Sequence, residues 1–264
     1  MLAVGLTLLA AIVAGCQPPA HQPEAKLAVK APVVPPDPGL EFATERHAGK
    51  RFTVCRVDLT KHNLELFWRN GARRPFKGFA TLDGWLRAKG RRLVFAMNAG
   101  MYQSDFSPVG LYVEHGKQLR PLNLSHGRGN FCLLPNGVFA VTDSGACVVE
   151  STEYPTIQKS AVLATQSGPM LVIEGRLHPA FTSGSQSRLI RNGVGVVSPR
   201  QVVFAISEDP VNFHEFATFF RDAMGCPNAL YFDGSVSSLY SVALNRNDGL
   251  TDLGPMIGVT EAAK

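Results

Sequence analysis

Hydrophobic and polar positions exchange over short distances along most of this chain. Runs of about four to eight residues, rich in β-branched and aromatic side chains, predict strands. They read "RFTVCRVDL", "LELFWR", "LVFAMN", "VGLYVEHG", "NFCLLPNGVFAVTD", "AVLATQSGPMLVIEG", "NGVGVVS" and "QVVFAIS", bounded mostly by Gly, Asn, Asp or Pro. In "FCLLPNGVFAV" the Asn136-Gly137 pair suits the positive φ angles of a tight turn and predicts a hairpin; Glu174-Gly175 in "MLVIEGRLHPAF" predicts a second. Two segments keep helical spacing instead. "FATLDGWLRAKG" predicts a helix with Thr81 as N-cap and Gly90 as stop. In "VNFHEFATFFRDAMG" the residues Phe213, Phe216, Ala217, Phe220 and Met224 share a helical face, and Gly225 ends it. Each helix runs straight into a strand, "RRLVFAMN" and "NALYFDG". A strand majority with two inserted helices predicts an α+β domain: a mixed, mainly antiparallel sheet with a few helices packed on it.

The N-terminal pattern is of another kind. "MLAVGLTLLAAIVAGC" is apolar and ends in small residues directly before Cys16, and it resembles a bacterial lipoprotein signal, although a basic n-region is missing. It is short for a spanning helix. On this reading residues 1–15 are a signal peptide and Cys16 carries lipid that ties the protein to a membrane; an uncleaved anchor is the alternative. The expected location is the cell envelope, on the periplasmic side. Gln17, where an aspartate would favour the inner membrane, points to the outer one. Residues 16–40 are proline-rich without apolar period and predict an extended linker. The remaining 41–264 form the expected folded domain.

Composition narrows the classes. With 45% hydrophobic and 18% charged residues in 264, the chain has material for a core, which excludes general disorder. The net charge of +5 is scattered, with no basic tract of the kind that binds nucleic acid. Export would place Cys55, Cys132, Cys147 and Cys226 in an oxidising compartment, where three pairings are open. Cys132 and Cys147 flank two strand-like runs, so a bridge between them is the first expectation, with Cys55 to Cys226 left over; reduced, buried thiols are the alternative. No CxxC pair or zinc-like spacing is present.

Three strands end abruptly in polar and glycine residues: "LVFAMNAGMY" at Asn98, "SRLIRNGVGV" at Arg188 and Arg191, and "LYFDGSVSSLY" at Asp233. Strand ends of this kind fix a side chain while glycine lets a ligand approach. In order and content they resemble the phosphodiester glycosidase family, whose motifs are Asn-Gly-Gly-Phe-Phe, an arginine segment ending Ile-Gly-Val, and Asp-Gly-Gly-Gly-Ser-Ser. "NAGMY", "RNGVGV" and "DGSVSS" stand in those places here. The resemblance runs from about Glu41 to the C-terminus and takes in "SPVGLYVEHGK", "GNFCLLPNGVF" and "ATQSGPMLVIEGRLHPAF", strings similar to those of the family's bacterial branch. Ala99, Ser235 and Val236 depart from it, each replacing a glycine.

The resemblance implies hydrolysis of a sugar 1-phosphodiester at the anomeric carbon, with a glycan or sugar phosphate as partner. An oxocarbenium-like transition state calls for carboxylates, and a phosphate leaving group needs cations and hydrogen-bond donors more than a strong acid. Asp233 becomes the leading carboxylate, with Asp105 and Glu114 as candidates for the second. Arg191 is the expected phosphate clamp, gripping two oxygens at once, with Arg188 behind it. Asn98, Ser167, Gly168, Gly234 and Ser237 are expected at the substrate. A divalent metal on Asp233 is conceivable, but no multi-carboxylate run supports one, so no cofactor is expected. "DGSVSS" is not a G-x-S-x-G elbow, and nothing in the spacing of His115, His126, His178 and His214 selects a partner for a serine. The competing reading is an envelope lipoprotein that binds carbohydrate or phosphoglycan without turnover.

Overall fold

In the computed structural model, residues 39–249 and 251–263 are described. The expected lipoprotein signal, Cys16 and nearly all of the expected linker lie outside them. The chain opens with a hairpin of β1 (Leu40–His47) and β2 (Lys50–Asp58), then the short β3 (Leu64–Phe67). Helix α1 (Phe79–Arg87) leads into β4 (Arg91–Asn98). Three antiparallel pairs follow: β5 (Tyr112–Glu114) with β6 (Lys117–Arg120), β7 (Gly137–Thr142) with β8 (Gly145–Glu150), and, after β9 (Ala161–Ser167), β10 (Met170–Ile173) with β11 (Arg176–Leu177). Next come β12 (Asn192–Ser198), β13 (Gln201–Ser207) and helix α2 (Phe213–Thr218), which continues as a π-helical turn, Phe219–Ala223. The last four strands are β14 (Asn228–Asp233), β15 (Leu239–Ser241), β16 (Arg246–Asn247) and β17 (Met256–Ala262).

These strands make three sheets. Seven run in the order β1-β2-β13-β12-β14-β10-β11, five in the order β16-β15-β4-β17-β3, and five in the order β6-β5-β9-β7-β8. Every strand pairing among the described residues is antiparallel. The architecture is therefore mainly β, which corrects the α+β and mixed-sheet expectation: each helix leads into its strand, but none serves as a crossover between parallel neighbours.

The period-2 pattern decides what each face buries. Along β2, Cys55 and Val57 enter the central core, where the inner faces of the sheets meet, whereas Phe52 and Val54 point the other way, under α2. On β13, Phe204 and Ile206 go inward while Val203 and Ala205 go outward. The glycines of "NGVGV" belong to this outer face. A methyl group on Gly195 would sit 2.5 Å from Cys226 Sγ and 2.7 Å from Phe220 Cδ1, so the bare backbone is what lets α2 lie close. Helix α1 covers the second sheet in the same way through Phe79, Leu82 and Leu86.

Several local expectations change. Asn136-Gly137 is not a hairpin turn: a cis Leu134-Pro135 peptide precedes it, Asn130–Cys132 is a 3-10 turn, and the hairpin closes instead at Asp143-Ser144, between β7 and β8. Glu174-Gly175 does turn a hairpin, both with positive φ. Helix α1 starts after Gly78, without a side-chain cap, so Thr81 is interior. Helix α2 is capped by Asn212, whose side chain accepts from the Glu215 N–H while the Glu215 side chain accepts from the Asn212 N–H.

All four described cysteines are free thiols, against both expected bridges. Cys55 and Cys226 lie on opposite faces of the seven-stranded sheet, one in each core. Cys147 pairs across from Ala140 on β7, while Cys132 is held in its turn with Sγ 3.8 Å from the Ser125 carbonyl. Flanking a hairpin in sequence does not bring two thiols together when one of them belongs to the preceding turn.

Candidate active site

Asp233 closes β14 and Arg191 immediately precedes β12, its neighbour. Both side chains turn toward the α2 face. Asp233 is almost fully buried, and its Oδ1 accepts from the backbone N–H groups of Gly234, Ser235 and Val236 at 2.6, 2.5 and 3.0 Å. The loop thus folds around its own carboxylate. Those three amides are spent inside the protein, Gly234 among them, and all three bonds run to the one oxygen Oδ1.

Arg191 is fully buried. Its Nε donates to the Val211 carbonyl, Nη1 to the Tyr231 hydroxyl, and Nη2 to the carbonyl and hydroxyl of Ser187. The guanidinium lies over the Phe213 ring, 3.9 Å from its centroid. All these partners are neutral, and no carboxylate forms an ion pair with Arg191 among the described residues. Burial lowers its affinity for the proton, opposed by Tyr231 and by the nearby charge of Asp233. Burial likewise drives the Tyr231 phenol far up. Tyr102, raised chiefly by burial, also feels the Asp233 charge. Asp233, Arg191, Tyr231 and Tyr102 therefore form one electrostatic neighbourhood. The two-oxygen grip expected of Arg191 is not on offer, because at most one of its N–H groups is uncommitted; what the residue supplies is fixed positive charge.

The other expected residues support this arrangement. Asn98 Oδ1 accepts from the Ser238 N–H at 2.9 Å, its Nδ2 donates to Asn192 Oδ1, and Asn192 Nδ2 returns a bond to the Asn98 carbonyl. Ser237 Oγ is shared among the Asp233 carbonyl, the Ile190 carbonyl and Asn192 Oδ1. Ser167 Oγ donates to the Phe232 carbonyl, and Gly168 is so tightly packed that an added methyl would lie 2.6 Å from Asn136 Cβ. Together they fix where β14 ends, with their polar groups turned to protein partners.

Three expected residues stand apart. Arg188 is ion-paired with Glu215 of the α2 capping box. Asp105 accepts from the N–H and hydroxyl of Ser107, which hold its pKa down, in an exposed loop. Glu114, on β5 of the third sheet, accepts from the Tyr112 hydroxyl, and burial raises its pKa. Two contributors went unanticipated. Tyr231 stands two residues before Asp233 and thus on the same strand face; Asn192 directly follows Arg191, and only the three-dimensional pairing with Asn98 reveals its part.

No group of three His, Cys, Asp or Glu side chains among the described residues could hold a metal ion. The loop serines engage backbone or asparagine rather than histidine: Ser237 as above, and Ser238 Oγ with the Val236 carbonyl.

Residues 91–260 match the family model described as phosphodiester glycosidase. A protein of Escherichia coli (strain K12) described as uncharacterized, YigE, is 33% identical over 184 residues, covering 70% of this chain and 72% of its own. Among solved structures, the catalytic domain of zebrafish N-acetylglucosamine-1-phosphodiester alpha-N-acetylglucosaminidase, auto-inhibited by its pro-peptide, is similar in fold at a TM-score of 0.61 and 12% identity, covering 86% of this chain and 85% of that one. A hypothetical protein from Synechocystis is similar at a TM-score of 0.51 and 15% identity, covering 84% and 61%.

Proposed function

The chain belongs to the phosphodiester glycosidase family, and on that premise we propose that it hydrolyses a sugar 1-phosphodiester at the anomeric carbon. One observation carries the reading: a fully buried arginine without an ion-paired carboxylate lies beside the strand-end Asp233. Burying an unpaired charge costs on the order of several kcal/mol. An anionic group of a substrate would offset that cost, and in a low-dielectric site the attraction is far stronger than in water.

On this reading Arg191 favours the phosphate monoanion through charge rather than a forked grip. Asp233 Oδ2 faces the anomeric carbon and stabilises, or attacks, the oxocarbenium-like transition state. Its triply bonded Oδ1 fixes the carboxylate's orientation, so little reorganisation remains at the moment of reaction. The departing phosphate is already a good leaving group, and protonation by a second carboxylate contributes little. A second reading, a phosphoglycan-binding protein without turnover, is favoured by the commitment of Asp105 to Ser107 and of Glu114 to Tyr112.

Hydrolysis of synthetic sugar 1-phosphodiesters by the purified protein, with and without EDTA, separates the two. Asp233→Asn keeps an Oδ1 acceptor for the loop and should lower turnover by roughly 10²- to 10⁴-fold while thermal unfolding hardly moves. Equal rates for parent and variant would remove Asp233 from the chemistry, and binding without turnover by the parent would favour the second reading. Envelope anchoring is part of the proposal. Radiolabelled fatty acid should be incorporated into the parent and not into Cys16→Ser.

A further inference from the structure

At the end of the strands away from Asp233, turns from the three sheets surround a cleft of about 610 Å³. Its place follows from strand direction. β4 runs from Arg91, which lines the cleft, to Asn98 at the Asp233 loop, and β12 runs from Asn192, opposite Asp233, toward the Pro199-Arg200 turn on the cleft. At about 3.3 Å per residue these strands put about 20 Å between the two ends. Backbone bonds hold the rim in place. The Leu59 N–H donates to the Arg200 carbonyl at 2.9 Å, the Ala146 N–H to the Pro199 carbonyl at 2.7 Å, and the Gly116 N–H to the Val162 carbonyl at 2.7 Å. Gly145 permits the close approach of Pro199: its φ is +114°, and a methyl group there would sit 2.2 Å from the Pro199 oxygen. The cleft is thus built by the fold, before any ligand arrives.

We infer that this cleft is a binding site for a short zwitterionic peptide with apolar side chains, about two or three residues long. Four apolar side chains keep surface in the cleft: Val162 is 47% exposed, Pro199 is exposed, and Leu59 and Val141 are half-buried. Hydrocarbon groups of a ligand would take that surface out of water. Charge then selects the ends of the ligand. Glu65 and Arg91 pair with each other and share the Thr260 hydroxyl. Arg200 and Asp143 remain, both exposed, on the β12–β13 and β7–β8 turns, and neither forms an ion pair among the described residues. His62 and His115 add imidazoles to the rim. A guanidinium grips a carboxylate through two N–H groups, and a carboxylate accepts from an ammonium group. An unpaired cation and an unpaired anion on adjoining turns therefore match the two termini of a peptide. A polyanion would meet Asp143, a polycation would meet Arg200, and an uncharged ligand would answer neither.

Saturation-transfer NMR on the full chain tests the site with the dipeptide Leu-Leu as probe, and with N-acetyl-Leu-Leu and Leu-Leu-amide as controls that each lack one terminal charge. Leu-Leu should bind at millimolar concentration and each capped control about fivefold more weakly, the loss of one partly exposed ion pair. Arg200→Ala should bind Leu-Leu and Leu-Leu-amide alike, and Asp143→Ala should bind Leu-Leu and N-acetyl-Leu-Leu alike, each with the unfolding temperature of the parent. Absence of Leu-Leu binding, equal affinity of the parent for capped and uncapped peptides, or full discrimination kept by either variant would each overturn the inference. The peptide controls apply to the parent alone, so the test does not depend on either variant. The readout is binding at the far end of the strands from Asp233, so a protein that fails to hydrolyse phosphodiesters leaves this test intact.

Discussion

At the scale of single residues, burial of a titratable group without an ion-paired partner is the most informative signal in this protein. Arg191 is the charged case, and His178 is the titratable one. The His178 ring is buried against Phe181, with Nδ1 accepting from the Ala180 N–H and the Leu134 backbone near enough to oppose, without cancelling, the effect of burial on its proton affinity. Burial lowers its pKa below the ordinary 6.5, so the folded protein prefers neutral imidazole while the unfolded chain takes up a proton as pH falls through that value. Protons then favour unfolding: the contribution is complete above about pH 6.5 and lost progressively below it. His178→Phe keeps the stacked ring and removes the titration. Urea midpoints measured at about pH 7 and about pH 5 should therefore fall less in the variant than in the parent. None of this was legible from sequence, where His178 was one histidine among several. Arg191 and Asp233 were legible because each ends an apolar run, yet of the neutral partners that consume the Arg191 fork only Ser187 is near in sequence, and no local pattern encodes Val211 and Tyr231.

At the scale of elements, hydrophobic alternation identified most strands and both helices. It went wrong where turn chemistry was read without its neighbours: Asn136-Gly137 has the composition of a hairpin turn, but residues 130–135 fold as a 3-10 turn and an X-Pro connection instead of a strand. The C-terminal β17, the middle partner of β4 and β3, was not singled out, since "MIGVTEA" is interrupted by glycine and ends polar. The glycines of "RNGVGV" drew notice as a place for a ligand, but their outer faces meet Phe216, Phe220 and Cys226. Gly195→Ala should accordingly force α2 away from the sheet and cost about 1–3 kcal/mol of stability, measured by urea unfolding. An unchanged midpoint would show that the helix yields freely.

At the scale of the whole molecule, the antiparallel three-sheet arrangement was not legible, because the partners of the long seven-stranded sheet are brought together from positions as far apart as β2 and β13. The cysteines follow from the same arrangement. Their separation on opposite faces and in unrelated turns predicts that thiol titration of the unfolded protein without reductant will find Cys55, Cys132, Cys147 and Cys226 all reactive, and that added reductant will leave the thermal midpoint where it was. A lowered midpoint on reduction would contradict the fold described.

The position of β17 carries a consequence for biosynthesis. It pairs on one side with β4, the strand that delivers Asn98, and Asn98 fixes the Ser238 end of the Asp233 loop. Until residues 256–262 have emerged from the ribosome, the second sheet is open between β4 and β3. Every earlier element can be synthesised before that sheet closes. Order of synthesis thus acts as a timer, and the second sheet is completed only when nearly all of the described domain has arrived.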